Sequence, residues 1–332
     1  MSDNNSKQNK KITSIGGSAL IEGIMMRGPK RTTVAVRINE QEIYTEDIEF
    51  KKISERFAIF KWPFLRGISG LIESLRLSYK ALMISADKAL GGAMAETDTE
   101  PQSKFEKWIT EKFGDKLMNF IMVIAAVFGV IISIGLFFFL PTYLFDLAGM
   151  VVKPFQGTEY SAVLYKSVFE GILKIILFLG YIVICSQIQD MKRVFMYHGA
   201  EHKTIFCYES DEDLTVENVK HHTRFHPRCG TSFMIYMLLL GIIIGLFIPV
   251  APFGVSGLRP VIKILLLPVS CGIGYEVLKL CGKFDNKLTR IIAAPGIWAQ
   301  HITTKEPDDS MIEIAITAMK AVIPEDGTDI LK

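Results

Sequence analysis

The chain has 332 residues, 49% of them hydrophobic and 22% charged, and its mean hydropathy is +0.30. That is high for a soluble globule and points to a membrane. A formal net charge of +2 excludes a bulk basic field, so no nucleic-acid partner is expected, and Lys and Arg carry information through their positions instead.

Residues 1–56 read as a small N-terminal cytoplasmic region containing β-structure. It opens on the polar "MSDNNSKQNKK", so no cleaved leader is expected. "SIGGSALIEGIMMRGPK" is Gly-rich, with Glu22 amid apolar residues, and fits either a strand packed tightly on its neighbour or a loop drawn toward a site. "TTVAVRINEQEIYTEDIEF" alternates apolar and polar residues around a polar "NEQE" turn, which predicts a β-hairpin. Residues 57–116 follow as amphipathic helices and a linker. Leu65, Ile68, Ile72, Leu75, Tyr79, Leu82 and Ala86 recur at helical spacing, with Arg66, Glu73, Arg76 and Lys80 on other faces. Such a helix lies along cytoplasmic headgroups or packs on other helices. "ETDTEPQSK" reads as an exposed linker.

Four stretches have about the 20 residues needed to cross a bilayer core. They run from Leu117 to Leu140, ending at Pro141, from Val168 to Ile188, from Phe233 to Val250 and from Val261 to Leu280. The expected fold is therefore a mainly α-helical polytopic membrane protein, with one transmembrane pair in residues 117–188 and a second in 233–280. Glu170 and Lys174 sit near the start of the second span, where snorkelling is expected. Between the pairs, residues 189–232 hold Lys192, Arg193, Lys203, Lys220, Arg224 and Arg228, which predicts that this segment and both termini are cytoplasmic. Residues 281–332 form a C-terminal tail, whose helix is expected to be capped by Asp309 or Ser310, with Glu313 completing a capping box, and to stop before Pro324.

The cytoplasmic segment carries the chemistry. In "YHGAEHKTIFCYE", His198 and His202 are four residues apart and share one helical face, with Glu201 between them. The string matches the H-x-x-E-H pattern in which two histidines bind zinc and the glutamate is a general base. "RFHPRCGTSF" adds His226 and Cys229 at ligand spacing. Glu276, within a span, either supplies a further carboxylate ligand or pairs with Lys279. If His198, His202, His226 and Cys229 all bind one ion, the site is structural; with three protein donors a water position remains and Glu201 has a proton to accept. A carboxylate at 201 is a cost in a purely structural site unless it pairs with Lys203 or Arg228. Five cysteines, an odd number, in a reducing compartment favour metal binding or plain burial over a disulfide framework. Cys207, His221, His222 and His301 read as buried or solvated side chains.

"GGSALIEGIMMRGP", "YHGAEHKTIFCYE", "LTVENV", "RFHPRCGTSF", "GIGYEVLKL" and "APGIWAQHITTKEPDD" together resemble domain-of-unknown-function family 1385, the YqhQ-like bacterial membrane proteins, from about Ile15 to Val322. The resemblance implies a multi-pass bacterial membrane protein with a metal site, zinc by donor type, at His198, His202, His226, Cys229 and Glu276, and with Glu201 in the catalytic position. His301 departs from the residue more usual in the family. Two functions follow as expectations. One is a zinc-dependent hydrolase or peptidase acting on a membrane protein or lipid-like substrate at the cytoplasmic face. The other is a non-enzymatic membrane regulator or scaffold with a structural zinc.

Overall fold

The computed structural model describes residues 11–96, except 40, 51, 52, 54–56 and 64, and residues 123–331, except 152–158, 256 and 285. In chain order the strands are β1 (Gly16–Leu20), β2 (Gly23–Arg27), β3 (Thr32–Arg37) and β4 (Ile43–Asp47). The helices are α1 (Leu65–Glu96), α2 (Val123–Gly149), α3 (Glu159–Cys185), α4 (Gln189–Glu209) and α5 (Val216–His221). They continue as α6 (Gly230–Gly245), α7 (Leu258–Leu265), α8 (Leu267–Lys283), α9 (Lys287–Thr303) and α10 (Asp309–Val322).

The chain divides into two compact units. One comprises Met1–Glu96, Tyr181–Met234 and Tyr275–Lys332; the other comprises Thr97–Gly180 and Ile235–Gly274.

The first unit is built on an antiparallel sheet in the order β1-β2-β3-β4. The expected hairpin is present, with Arg37 opposite Ile43 and Thr33 opposite Asp47. "SALIEGIMM" is a second hairpin, turning at Ile21 and Glu22, the latter with φ of 48°. Side chains alternate across the sheet, so each face meets a different helix. Ile24, Met26 and Ala35 join a core with Ile312, Ala315 and Met319 of α10 and with Ala200 and Cys207 of α4. Met25, Val34 and Val36 pack with Leu77 and Ala81 of α1. Burial on both faces fixes the register, because a one-residue slip would exchange the two sets.

The buried face of α1 is not its most apolar one. Ser69, Glu73, Leu77, Ala81 and Ser85 are buried, whereas Ile72, Leu75, Tyr79 and Leu82 are exposed. Glu73 is taken inward because its carboxylate accepts from Ile53 N–H at 2.6 Å and from Arg27 at 3.2 Å. Asp308, rather than Asp309 or Ser310, caps α10, accepting from Met311 N–H at 2.9 Å. The helix does stop at Val322, ahead of Pro324.

In the second unit, α2 and α3 are long and apolar enough to cross a membrane, and α7 with α8 form a third candidate bent by 48°. Among the described residues two helices, or three if the bent pair is one span, are thus long and apolar enough to cross a membrane, where the sequence predicts four spans. The third expected span is short because α6 ends at Gly245, after 16 residues. The fourth is broken at Leu266, since Pro268 lacks the N–H that a continuous helix needs and is tolerated in the first turn of α8. Pro141, by contrast, does not end its helix. A π-helical turn, Gly135–Phe139, precedes it and shifts the ladder, Leu140 N–H bonding to Gly135 O. The start of that span, residues 117–122, and the linker at 96–104 beyond Glu96 lie outside the described residues.

Candidate metal centre

Helix α4 begins beside the membrane-span candidate α3 and carries the H-x-x-E-H string on its inner face, with Gly199 to Cys207 all buried. Two contacts near its start hold it in place. Glu22, at the tip of the β1–β2 turn, accepts from Arg193 Nη2 at 2.5 Å and from the Tyr197 hydroxyl at 3.2 Å. Gly199 permits the segment after α9 to approach, because a Cβ there would lie 2.0 Å from Lys305 O.

That approach brings the Thr303 carbonyl to His198, where Nδ1 lies 2.9 Å away. The Arg224 carbonyl similarly lies 2.5 Å from His202 Nδ1. A carbonyl accepts only, so each Nδ1 carries a hydrogen and donates, which leaves each Nε2 to face the centre. His198 Nε2 is 3.1 Å from Cys229 Sγ. The donor atoms of His198, His202 and Cys229 all lie within 4.8 Å of one another. Bond lengths of about 2.0–2.3 Å place the ligands of one zinc tetrahedron roughly 3.5 Å apart, so small side-chain movements close this set on an ion.

The electrostatics agree with that donor set. Burial alone would raise the Cys229 thiol, but the imidazoles of His198 and His202 hold it well below its ordinary range. Burial likewise opposes charge on His198, and the neighbouring thiolate overrides it, pushing the imidazole up to about 9. A proton shared between Nε2 and Sγ occupies the place a metal ion takes when both ligands deprotonate.

Glu201 lies against this cluster. Its Oε1 accepts from Gly17 N–H at 3.0 Å, and a Cβ on Gly17 would sit 3.0 Å from the Glu201 carboxyl carbon and 2.7 Å from Met25 O. The Gly-rich stretch is thus a tightly packed strand that also reaches the site. Burial raises the Glu201 carboxyl above its ordinary range, against the pull of the two imidazoles. Neither pairing that would make Glu201 a structural ion is present. Lys203 binds Glu306 and donates to Lys220 O at 2.9 Å, and Arg228 binds Glu209.

The other two sequence candidates sit elsewhere. His226 stacks near His202, with ring centroids 5.5 Å apart, but its Nδ1 accepts from Arg228 N–H at 3.2 Å and its Nε2 faces Glu209 at 3.9 Å. Arg228 Nη2 also lies 3.3 Å from that Nε2, and, unlike in His198 and His202, Nδ1 accepts from a backbone N–H in place of donating to a carbonyl. Burial pushes His226 down to about 4, keeping it neutral. Glu209 is held below the carboxylate range despite its burial, by His226, Arg228 and the Thr13 N–H. Glu276 accepts from Arg66 Nε at 2.6 Å and Nη2 at 2.5 Å, and is not brought to the cluster or paired with Lys279. Its neighbour in the sequence analysis, His301, stacks on Phe225.

Sequence reasoning missed Glu209, although it follows His202 and Phe206 at helical spacing on the same face. It also missed that Cys207, Glu212 and His222 place donor atoms within 4.8 Å of one another in a second group. Nothing in the local spacing marks the Thr303 and Arg224 carbonyls.

The sequence pattern described as "protein of unknown function (DUF1385)" matches residues 62–325. The uncharacterized protein YqhQ of Bacillus subtilis (strain 168) is 33% identical over 309 residues, covering 93% of this chain and 92% of that protein. No solved structure matches. With that match covering well over half of the chain, His198, His202 and Cys229 included, the chain belongs to the DUF1385 family.

Proposed function

We propose that the protein is a membrane-bound, zinc-dependent hydrolase whose centre faces the cytoplasm, with both termini on that side. His198 Nε2, His202 Nε2 and Cys229 Sγ would hold the ion. Bound there, zinc supplies Lewis acidity and lowers the pKa of water toward neutrality. Glu201 takes up a proton at Oε2, the carboxylate oxygen that the Gly17 N–H does not hold, and delivers it to the leaving group. The Thr303 and Arg224 carbonyls keep both imidazoles in the Nδ1–H tautomer, which leaves the Nε2 lone pair free to bind the ion. Strand β1 packs against the carboxylate, and burial raises its affinity for a proton.

The observation that carries this reading is a three-donor set with a buried glutamate beside it that no described Lys or Arg pairs with. The exposed apolar stripe Ile72, Leu75, Tyr79 and Leu82 on α1 suits a helix resting on lipid headgroups, and a membrane protein or lipid-like molecule as substrate. A structural zinc in a regulator or scaffold is the second reading, favoured by burial of His202 and Cys229 at 2% and 6% exposure. The test is zinc content, melting temperature and complementation of a deletion strain for wild type, Glu201→Gln and Cys229→Ser. A hydrolase is supported if Glu201→Gln keeps zinc and melting temperature but fails to complement. If Glu201→Gln complements fully while Cys229→Ser loses zinc and melts early, the ion is structural.

A further inference from the structure

In the second unit, Lys166, Glu170 and Lys174 recur every four residues along α3 and share one face, and Arg259 and Lys263 do the same on α7. The sequence predicts that Glu170 and Lys174 snorkel, yet they are 1% and 8% exposed, buried within the protein. Glu170 forms an ion pair with Lys263, lies 3.5 Å from Arg259 Nε and accepts from the Thr142 hydroxyl at 2.8 Å. Arg259 also donates to Ser167 Oγ at 2.8 Å and to the Pro249 and Gly245 carbonyls. Lys166 donates to Asp146 at 2.5 Å. The ammonium of Lys174 rests 4.9 Å from the centre of the Phe138 ring, with no described carboxylate in ion-pair reach.

Among the described side chains of this unit, four cations, Lys166, Lys174, Arg259 and Lys263, therefore stand against two carboxylates, Asp146 and Glu170. Among the described side chains, Arg259 and Lys263 share the one carboxylate of Glu170 and Lys174 has none in ion-pair reach, in an apolar setting where a buried ion is costly. Beside them is an open, mostly apolar groove of about 460 Å³ lined by Phe139, Leu140, Thr142, Tyr143, Asp146 and Pro260. Its polar wall residues are the ones that reach back to the cluster, Thr142 to Glu170 and Asp146 to Lys166.

We propose that this unit binds an anionic phospholipid, its phosphate compensating the cluster around Lys174 and Lys263 and an acyl chain lying in the groove. The excess charge calls for an anion, and the apolar groove adjoining it distinguishes a lipid from free phosphate. This site is independent of the metal centre.

The experiment follows thermal melting of the full-length protein in mild detergent with phosphatidylglycerol, phosphatidylcholine or inorganic phosphate added, for wild type and Lys174→Met. Phosphatidylglycerol is expected to raise the melting temperature well beyond phosphatidylcholine, inorganic phosphate to leave it unchanged, and Lys174→Met to lose at least half of the difference. If Lys174→Met does not fold, native mass spectrometry of the wild type decides, with phosphatidylglycerol retained at collision energies that strip phosphatidylcholine. Equal effects of the two lipids in both assays, the full shift from phosphate alone, or an undiminished shift in Lys174→Met overturns the proposal.

Discussion

The adjacent glycines Gly16 and Gly17 occupy neighbouring positions in β1, yet substitution by alanine is expected to separate them sharply. A Cβ at Gly16 meets nothing within 4 Å, whereas at Gly17 it meets Met25 O at 2.7 Å, Met26 Sδ at 2.9 Å and the Glu201 carboxyl carbon at 3.0 Å. Of these three only the methionine sulfur can yield easily. The backbone carbonyl belongs to the β1–β2 ladder, and Glu201 is held by the Gly17 N–H itself. Overpacking of this kind costs about 1–3 kcal/mol, and weakening the hydrogen bond to the charged oxygen adds about 1 kcal/mol. A total of about 3 kcal/mol lowers the melting temperature by roughly 4 °C for a chain of 332 residues unfolding as one unit. Gly16→Ala is expected to change stability by no more than about 0.5 kcal/mol, with a small gain from the restricted unfolded chain. Melting of the two variants, with zinc titrated into each, is the assay. Gly17→Ala should melt early and Gly16→Ala as wild type. If both melt alike, the contact between β1 and Glu201 is not what the site rests on.

His226→Ala is expected to keep its zinc while losing about 2 kcal/mol, because the Arg228 N–H loses its acceptor and the buried Glu209–Arg228 pair loses the ring beside it; loss of zinc would instead make His226 a ligand. Glu276→Gln should leave zinc content untouched and cost no more than about 1 kcal/mol, since its pair with Arg66 is partly solvent-screened. Stability should also fall with acid through a histidine. His226 is neutral in the fold down to about 4, whereas an unfolded histidine titrates near 6.5, so between those values the unfolded chain binds the extra proton and gains. Acidification from pH 7 to pH 4.5 should lower the melting temperature of metal-free wild type more than that of His226→Ala. An identical slope in both would refute the assignment.

The sequence made the candidate donor cluster legible to the extent that helical periodicity governs it. His198, Glu201 and His202 share a face by spacing alone, and Cys229 follows from its place before an apolar run. His226 has the same spacing argument, but what faces its ring is invisible in one dimension: the Arg228 N–H and guanidinium and Glu209 in place of a backbone carbonyl. Glu276 misled because an ionisable residue in an apolar run demands a partner without saying which, and Arg66 lies 210 positions away.

The β3–β4 hairpin was legible because strands alternate every second residue, whereas the Gly-rich stretch that forms the β1–β2 hairpin read only as a strand or a loop. The orientation of α1 was not legible, because its buried stripe contains Ser69, Glu73 and Ser85 and its exposed stripe contains Ile72 and Leu75. Hydropathy alone does not foresee a carboxylate taken inward by Ile53 N–H and Arg27. Local geometry along the apolar runs was not legible either, a break interrupting one near Pro268 and a π-turn carrying a helix past Pro141.

X-ray absorption at the zinc edge of the purified protein tests the central claim most directly. The account predicts one zinc per chain with two imidazole nitrogens at about 2.0–2.1 Å, one sulfur at about 2.3 Å and one light-atom ligand that survives His226→Ala. A spectrum requiring a third imidazole, or a chain that takes up no zinc with Cys229 intact, would contradict it.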